Sequence, residues 1–255
     1  MKNLFNIEGK TALVTGGSRG IGEMIATGFV EAGARVYISA RKARAANELA
    51  EELSKKGTCI SLPFDLGTME GVAGLAAELA KREPKLDILV NNAGAAWGEP
   101  IDDYSESGWD KVMNINLKGP FFVTQKLLPL LRKAATYEDP ARVINIASIN
   151  GIVPPELETY AYSSSKAGCI MLTRHLAGRL AGDNILVNAI APGPFPSQMM
   201  KATLEAFGDE IKASNPRKRV GTPEDIAGVA IFLSSRASAY TTGAVIPCDG
   251  GAAEV

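Results

Sequence analysis

A short apolar run, Thr11 to Thr15, leads straight into Gly16, Gly17, Ser18, Arg19, Gly20, Ile21 and Gly22. An amphipathic stretch follows, with Ile21, Ile25 and Phe29 at the helical i, i+4 interval and Ala26 and Val30 beside them. Glycines at such a junction permit a tight turn, let backbone come close to an anion such as a pyrophosphate, and allow close packing of helix on sheet; N–H groups at the helix start attract the anion. Gly33 stands where a helix stop belongs, and a second β-type run begins at Arg35. Strand, turn, helix and strand thus fit within the opening forty or so residues, about the size of a βαβ unit. A glycine run alone says little; its position at the head of that unit makes it specific.

The alternation continues along the chain. Strands are predicted at Thr11 to Thr15, Arg35 to Ser39, Thr58 to Leu62, Asp87 to Val90, Arg142 to Ala147, Ile185 to Ile190 and Ala244 to Pro247. Their near-continuous Val, Ile and Leu content implies burial on both faces, as in a parallel sheet covered by helices on each side. The 255 residues, 46% hydrophobic, suit one sizeable α/β domain over 1–255 better than two independent ones. One well-marked helix starts at Thr222, a good N-cap, with Pro223 at the first helical position and Glu224 and Asp225 at the positive end of the dipole. From Pro192 to Arg219 the pattern breaks into prolines, a Met-containing helical patch, and Asn215 with Pro216. A segment of that length suits a substrate lid at about 194–219; a surface excursion or subunit contact is the alternative.

Composition removes several classes of function. A net charge of −1 gives no global attraction to nucleic acid or to an anionic membrane, so a small-molecule partner is expected. Cys59, Cys169 and Cys248 have no metal-type spacing and read as buried, reduced thiols. Met1 to Lys10 lacks the apolar core of a signal peptide, and no stretch nears the roughly 18 apolar residues of a membrane span, so a cytoplasmic location is expected. His175 is the only histidine, which leaves no basis for a metal site or a Ser-His-Asp triad. The basic run Lys212 to Arg219 reads as a solvated loop, either free or near a cofactor phosphate. Asp102, Asp103 and Glu106 read as a polar loop.

Tyr162 and Lys166 lie four apart in Tyr160 to Leu180, a stretch that reads as helix, so they share one face. Reduction of a carbonyl needs a hydride, a proton donor and stabilisation of the developing alkoxide. Tyrosine can supply the proton, but with an ordinary pKa of about 10 its phenolate is scarce at neutral pH. A neighbouring ammonium favours that phenolate. Tyr160 competes as donor, but it is six residues before Lys166 and faces elsewhere. The spacing by itself is common, and context has to carry it.

The turn TGxxxGxG, on Thr15, Gly16, Gly20 and Gly22, resembles that of the short-chain dehydrogenase/reductase family, and the resemblance extends over nearly the whole chain. It implies a single-domain, doubly wound (Rossmann) parallel seven-stranded sheet with helices on both faces. In that family the glycine turn, here with Ser18, Arg19 and Ile21, holds the cofactor. Where an NAD-binding relative would carry an acid at the end of the second strand, this chain has Ser39, Ala40 and Arg41. Arg19 and Arg41 suit a 2′-phosphate, so NADPH/NADP+ is expected. Asp65 and Leu66 match the adenine contact, with an N-cap role for Asp65 as the alternative. Asn91, Asn92, Ala93 and Gly94 match the NNAG motif beside the adenine ribose.

The same resemblance assigns Ser148 as carbonyl polariser and Tyr162 as general acid. Lys166 becomes both the modulator of Tyr162 and a ligand of the nicotinamide ribose. Asn116, on a long helix, would hold a helix-bending water in the proton path. Pro192 and Gly193 match the PG motif, after which Phe195 and Ser197 stand where an aliphatic residue and a threonine are usual. A backbone contact from Phe195 and a hydroxyl contact from Ser197 to the carboxamide are implied. A homotetramer through the long fourth and fifth helices and the C-terminal strand is also implied.

The overall pattern, including the tail from Thr242 to Gly251, is closest to 3-oxoacyl-thioester reductases, including the rhamnolipid-pathway type. The substrate expected is a ketone on an acyl-carrier or CoA thioester. An NADP-dependent alcohol, sugar or steroid dehydrogenase is the alternative, and a non-catalytic nucleotide-binding module is a third reading. Trp97, Ile152, Val153, Pro154, Leu157, Met199 and Met200 are candidate pocket-lining residues that could equally be packing.

Overall fold

In the computed structural model, which describes residues 3–253, seven parallel strands form one sheet in the order β3-β2-β1-β4-β5-β6-β7. They are β1 (Thr11–Thr15), β2 (Arg35–Ser39), β3 (Thr58–Leu62), β4 (Ile88–Asn91), β5 (Ala141–Ile146), β6 (Ile185–Pro192) and β7 (Val245–Cys248). Helices α1 (Gly20–Glu31), α2 (Ala43–Leu53), α3 (Met69–Arg82), α4 (Glu106–Met113), α5 (Gly119–Ala134), α6 (Tyr160–Leu180), α7 (Lys201–Ser214) and α8 (Pro223–Ser234) complete the regular structure. Met1 and Lys2, which begin the segment expected to lack a leader, lie outside the described residues.

Strand alternation divides the core in two. Ala12, Val14, Val36 and Ile38 face Ile25 and Phe29 of α1 and Ile226 and Leu233 of α8. Leu13, Tyr37, Leu89 and Val143 face Leu75 and Leu79 of α3 and Leu127 and Leu131 of α5. Both faces are dry over the central strands β1, β4, β5 and β6, which therefore carry no polar alternation, whereas the edge strands β3 and β7 are part-exposed and depart from the burial expected of all seven. α1 and α8 touch through Gly28, where a Cβ would lie 2.6 Å from that of Ala227.

Several strand ends differ from expectation by a residue or two. β4 begins at Ile88, not Asp87, because the Asp87 carboxylate accepts the Thr11 N–H (2.9 Å) and pairs with Lys85 (2.9 Å) at the sheet's lower edge. β5 starts one residue early at Ala141, and β7 starts one late at Val245. β6 runs on to Pro192, which still pairs with Cys248 in the last strand. α8 starts as read, with Thr222 as N-cap and Asp225 accepting the Thr222 N–H at 2.8 Å. α6 spans Tyr160–Leu180 as read, and Cys59 and Cys169 are buried while Cys248 is half-buried.

The stretch read as one long helix around Asn116 is not uniform. Between α4 and α5 lies a π-helical segment, Asn114–Lys118. Such segments change the direction of a side chain without ending the helix. Among the described residues no helix is long and apolar enough to cross a membrane.

Candidate active site

Strand order reverses between β1 and β4, and ligands of open α/β sheets sit at the strand carboxyl ends beside such a switch. The glycine turn closes one side of it. Gly16 and Gly20 adopt φ of 63° and 57°, the left-handed region that glycine enters without strain. A Cβ on Gly16 would lie 2.8 Å from Ala93 Cα, and one on Gly22 would lie 2.4 Å from both Asn92 Nδ2 and Gly16 O. Turn and β4 end are therefore packed backbone to backbone.

Thr15 staples them. Its hydroxyl accepts the N–H groups of Asn92 (2.9 Å) and Ala93 (3.0 Å) and donates to Val90 O (3.3 Å). The Asn92 amide donates to Thr15 O (2.9 Å) and Gly16 O (3.1 Å), so this side chain builds the turn. Thr15→Val keeps the shape and orphans two N–H groups, at roughly 1–3 kcal/mol each. Thermal unfolding of this variant is expected to begin roughly 5–15 °C lower. An unchanged transition would mean that the staple contributes nothing to stability.

Arg19 enters α1 with extended backbone and offers it no side-chain cap, leaving first-turn N–H groups to be met from outside. Arg19 and Arg41 are both exposed, whereas nearby Arg44 is tied to Glu48 at 2.8 Å. Uncapped N–H groups, a cradle that any Cβ would fill and two exposed guanidinium groups fit a phosphorylated dinucleotide. Ser39 is fully buried and its hydroxyl has no partner among the described residues. Asp65 does not cap α3. Thr68 does, accepting the Gly71 N–H at 3.1 Å, while Asp65 turns its carboxylate onto the Gly67 N–H at 3.0 Å. Leu66 is buried in the core against α3 and α5, so any ligand contact there is through backbone.

The chemistry-bearing side chains converge at the ends of β4 and β5. Lys166, buried within α6, donates from Nζ to Ile146 O at 2.7 Å, and Nζ stands 5.6 Å from the Tyr162 ring centroid. Gly151 packs on the backbone of Lys166, where a Cβ would come within 2.6 Å, so the turn after β5 seats against α6. That turn begins at Ser148, which is nearly buried and whose hydroxyl accepts the Asn150 N–H at 3.1 Å. Asn116 reaches from the π segment to the loop after β4. Its Oδ1 accepts the Ala95 N–H (2.9 Å), and Nδ2 donates to Ala95 O (3.0 Å) and to Ser165 Oγ (3.0 Å).

Tyr160 does face elsewhere, edge-on to Tyr104 with centroids 5.6 Å apart. His175 is exposed on the surface of α6. Trp97, a candidate pocket residue, is half-buried and packs on α4. Its ring fills the space beside Gly108 and carries Lys111 Nζ 4.3 Å above it. Ile152, Val153, Leu157 and Met199 are exposed.

The segment after β6 is anchored at both ends. The Phe195 ring is buried against Gly221, and Ser197 Oγ accepts the Met200 N–H at 3.2 Å. Ser197 also lies over the glycine turn, its Cβ 3.0 Å from where a Cβ on Gly20 would be. A groove of about 450 Å³ opens there, between Arg19–Gly20 with α1 and Pro196–Gln198, beside the glycine turn rather than over Tyr162. α7 buries none of its residues. At the far end Arg219 grips Asp225 through two bonds, 2.5 and 2.9 Å, which with the Thr222 N–H hold that carboxyl well below the usual range. The basic run is thus mostly committed, with Lys212 on Asp209 and Lys218 on Ala213 O.

Sequence reasoning missed two features. Ser165 was not singled out, although its place between Tyr162 and Lys166 was a signal. A buried chain joins Thr124, Asn91, Asn145 and Thr173 at 3.0, 2.9 and 2.8 Å, linking α5 and α6 across two strands. Nothing local in the sequence pairs those four.

A nucleotide-type glycine turn on a seven-stranded parallel sheet, with a tyrosine and a buried lysine at its carboxyl edge, defines a dinucleotide-dependent oxidoreductase fold. The chain belongs to the short-chain dehydrogenase/reductase family: residues 16–253 match a family model described as enoyl-(acyl carrier protein) reductase. It is 50% identical to the rhamnolipid-biosynthesis 3-oxoacyl-(acyl-carrier-protein) reductase of Pseudomonas aeruginosa, over 98% of this chain and 99% of that one. It is 35% identical to the 5-keto-D-gluconate 5-reductase of Escherichia coli K12, over 98% of each. Among solved structures it resembles the Pseudomonas aeruginosa RhlG/NADP active-site complex, with a TM-score of 0.95 and 49% identity over 99% of this chain and 100% of the other.

Proposed function

We propose that the protein is an NADPH-dependent reductase that converts the ketone of a 3-oxoacyl thioester to the secondary alcohol. The observation that carries this reading is the convergence of Tyr162, Lys166, Ser148 and Asn116 at the sheet edge next to the glycine cradle. The activity of the relative at 50% identity supports the acyl substrate, and the likeness to a complex with NADP supports the cofactor. When bound, the cofactor supplies the hydride.

The chain does the rest. Gly16, Ser18, Gly20, Ile21 and Gly22 receive the pyrophosphate, Arg19 and Arg41 the 2′-phosphate. Asp65, Leu66, Asn92, Ala93 and Gly94 border the adenosine. Phe195 and Ser197 lie at the carboxamide end of the site, in a segment that acts as a substrate lid. Ser148 donates to the carbonyl oxygen, and Tyr162 transfers its proton to that oxygen as it gains charge. Lys166 stabilises the phenolate left behind. Asn116 keeps the loop after β4 against α6 so that the proton can be replaced.

The test is NADPH oxidation, followed by its own absorbance, with four compounds: acetoacetyl-carrier and acetoacetyl-CoA thioesters, an unsaturated acyl thioester and 5-ketogluconate. The expected order of kcat/KM puts both 3-oxo thioesters at least about tenfold above the rest, since a misfitted group costs about 1–3 kcal/mol. Preference for the unsaturated thioester or for the sugar would reassign the substrate within the family. A homotetramer in the cytoplasm completes the proposal. Phe121 of α5, Met171 of α6 and the part-exposed edge strand β7 offer the contact surfaces.

A further inference from the structure

We infer that Ser165 is a positioning residue for the proton donor, tying the Tyr162 turn of α6 to the Asn116 amide through one fully determined chain of hydrogen bonds. Ser165 is completely buried, three residues after Tyr162 and one before Lys166. Its hydroxyl touches two groups: Asn116 Nδ2 at 3.0 Å and Tyr162 O at 2.8 Å.

The direction of each bond follows from the donors available. The Ala95 N–H can only donate, so the Asn116 atom facing it must be the amide oxygen. That leaves the amide nitrogen for Ala95 O and Ser165, and nitrogen can only donate. Ser165 Oγ must therefore accept, and its single proton goes to Tyr162 O. No hydrogen on the amide nitrogen or the hydroxyl is spare. A serine that merely back-bonded to its own helix would have no need of Asn116, and Asn116 would leave a buried N–H unpaired.

α6 needs this tie at that point. Its N-cap, Thr159, supplies no side-chain bond, so the first turn, which carries Tyr162, lacks the usual local fastening. The π segment aims Asn116 at it instead. Ser165 thus converts the placement of the loop after β4 into the placement of the Tyr162 backbone.

The inference rests on Tyr162 as proton donor, and the experiment separates the two claims. Ser165→Ala removes both bonds. Ser165→Cys keeps most of the volume with a sulfur that bonds weakly, and covers the case in which the alanine variant folds poorly. Both are compared with Asn116→Ala, the Asn116/Ser165 double alanine variant and Tyr162→Phe. The readouts are kcat, KM for NADPH, the pH profile of kcat and the melting temperature.

The expected result is a fall in kcat of about ten- to a hundredfold in both Ser165 variants, the size that a small misplacement of a reacting group produces. KM for NADPH stays within about twofold, the pH profile moves, and the double variant is no slower than the slower single one, as members of one chain require. Wild-type kcat and pH profile with only a lowered melting temperature would make Ser165 a packing residue. Multiplying losses in the double variant would likewise break the chain. If Tyr162→Phe itself keeps turnover, the proton-donor assignment fails instead, whatever Ser165 does.

Discussion

Tyr162→Phe is expected to lower kcat about a thousandfold while leaving NADPH affinity within about twofold. Positioned acid–base groups contribute roughly 10²–10⁴ in rate. Tyr160, the other tyrosine on this helix, is held edge-on to Tyr104. The phenylalanine ring keeps the contact with Lys166, whose ammonium is already anchored on Ile146 O, so the fold and the cradle should stand. Fluorescence titration with NADPH and single-turnover assays on the 3-oxoacyl thioester separate binding from chemistry. Turnover within tenfold of the wild type would transfer the donor role to another group.

The second large effect concerns the cofactor. Replacing Arg19 and Arg41 together by alanine should reduce the ratio of kcat/KM for NADPH over NADH by about a hundredfold. A charge-assisted hydrogen bond contributes roughly 1.5–3 kcal/mol, and both side chains are exposed, so solvent screening brings two of them to about 3 kcal/mol in total. The loss falls on the 2′-phosphate alone, which is why NADH should be almost unaffected. Adding Ala40→Asp should carry the preference further, because a carboxylate at the end of β2 takes the ribose hydroxyl and repels the phosphate. The effect should shrink as salt is raised. A ratio that does not move would mean that the 2′-phosphate lies elsewhere.

Much of this was legible before any fold was in hand, for a physical reason. A strand buried on both faces must be apolar along its length, so β1, β2 and β6 announce themselves. α1 and α8 carry their stop and start signals in Gly33 and Thr222. The turn from Gly16 to Gly22 is readable because a Cβ on Gly16 would come within 2.8 Å and one on Gly22 within 2.4 Å of its neighbours, which only glycine avoids. Tyr162 and Lys166 are readable because helical spacing alone puts them on one face.

Elsewhere local sequence was ambiguous. Asp65 and Thr68 are both good N-caps, and only the path of the chain after β3 gives the role to Thr68. Trp97 follows a strand end, as a pocket residue would, but Gly108 and Lys111 make a slot for it on a helix that is distant in kind though near in number. Asn114 to Lys118 has the composition of ordinary helix, and its π-helical turn depends on what Asn116 meets across the cleft. Arg142 opens a strand read as buried but carries a charge that sequence alone gives no partner, and it is buried all the same, bonding Pro140 O and Ser235 O at the lower end of the sheet.

By itself, then, the sequence determined the parallel α/β class, the glycine turn and the tyrosine–lysine pair, because periodicity, glycine chemistry and i, i+4 spacing are properties of neighbours along the chain. The tertiary structure alone decided which groups meet: Thr15 with Asn92, Asn116 with Ala95 and Ser165, Arg219 with Asp225. Those partners are brought together only when buried donors and acceptors must find one another across the folded sheet, and a buried group left unpaired costs more than any local preference.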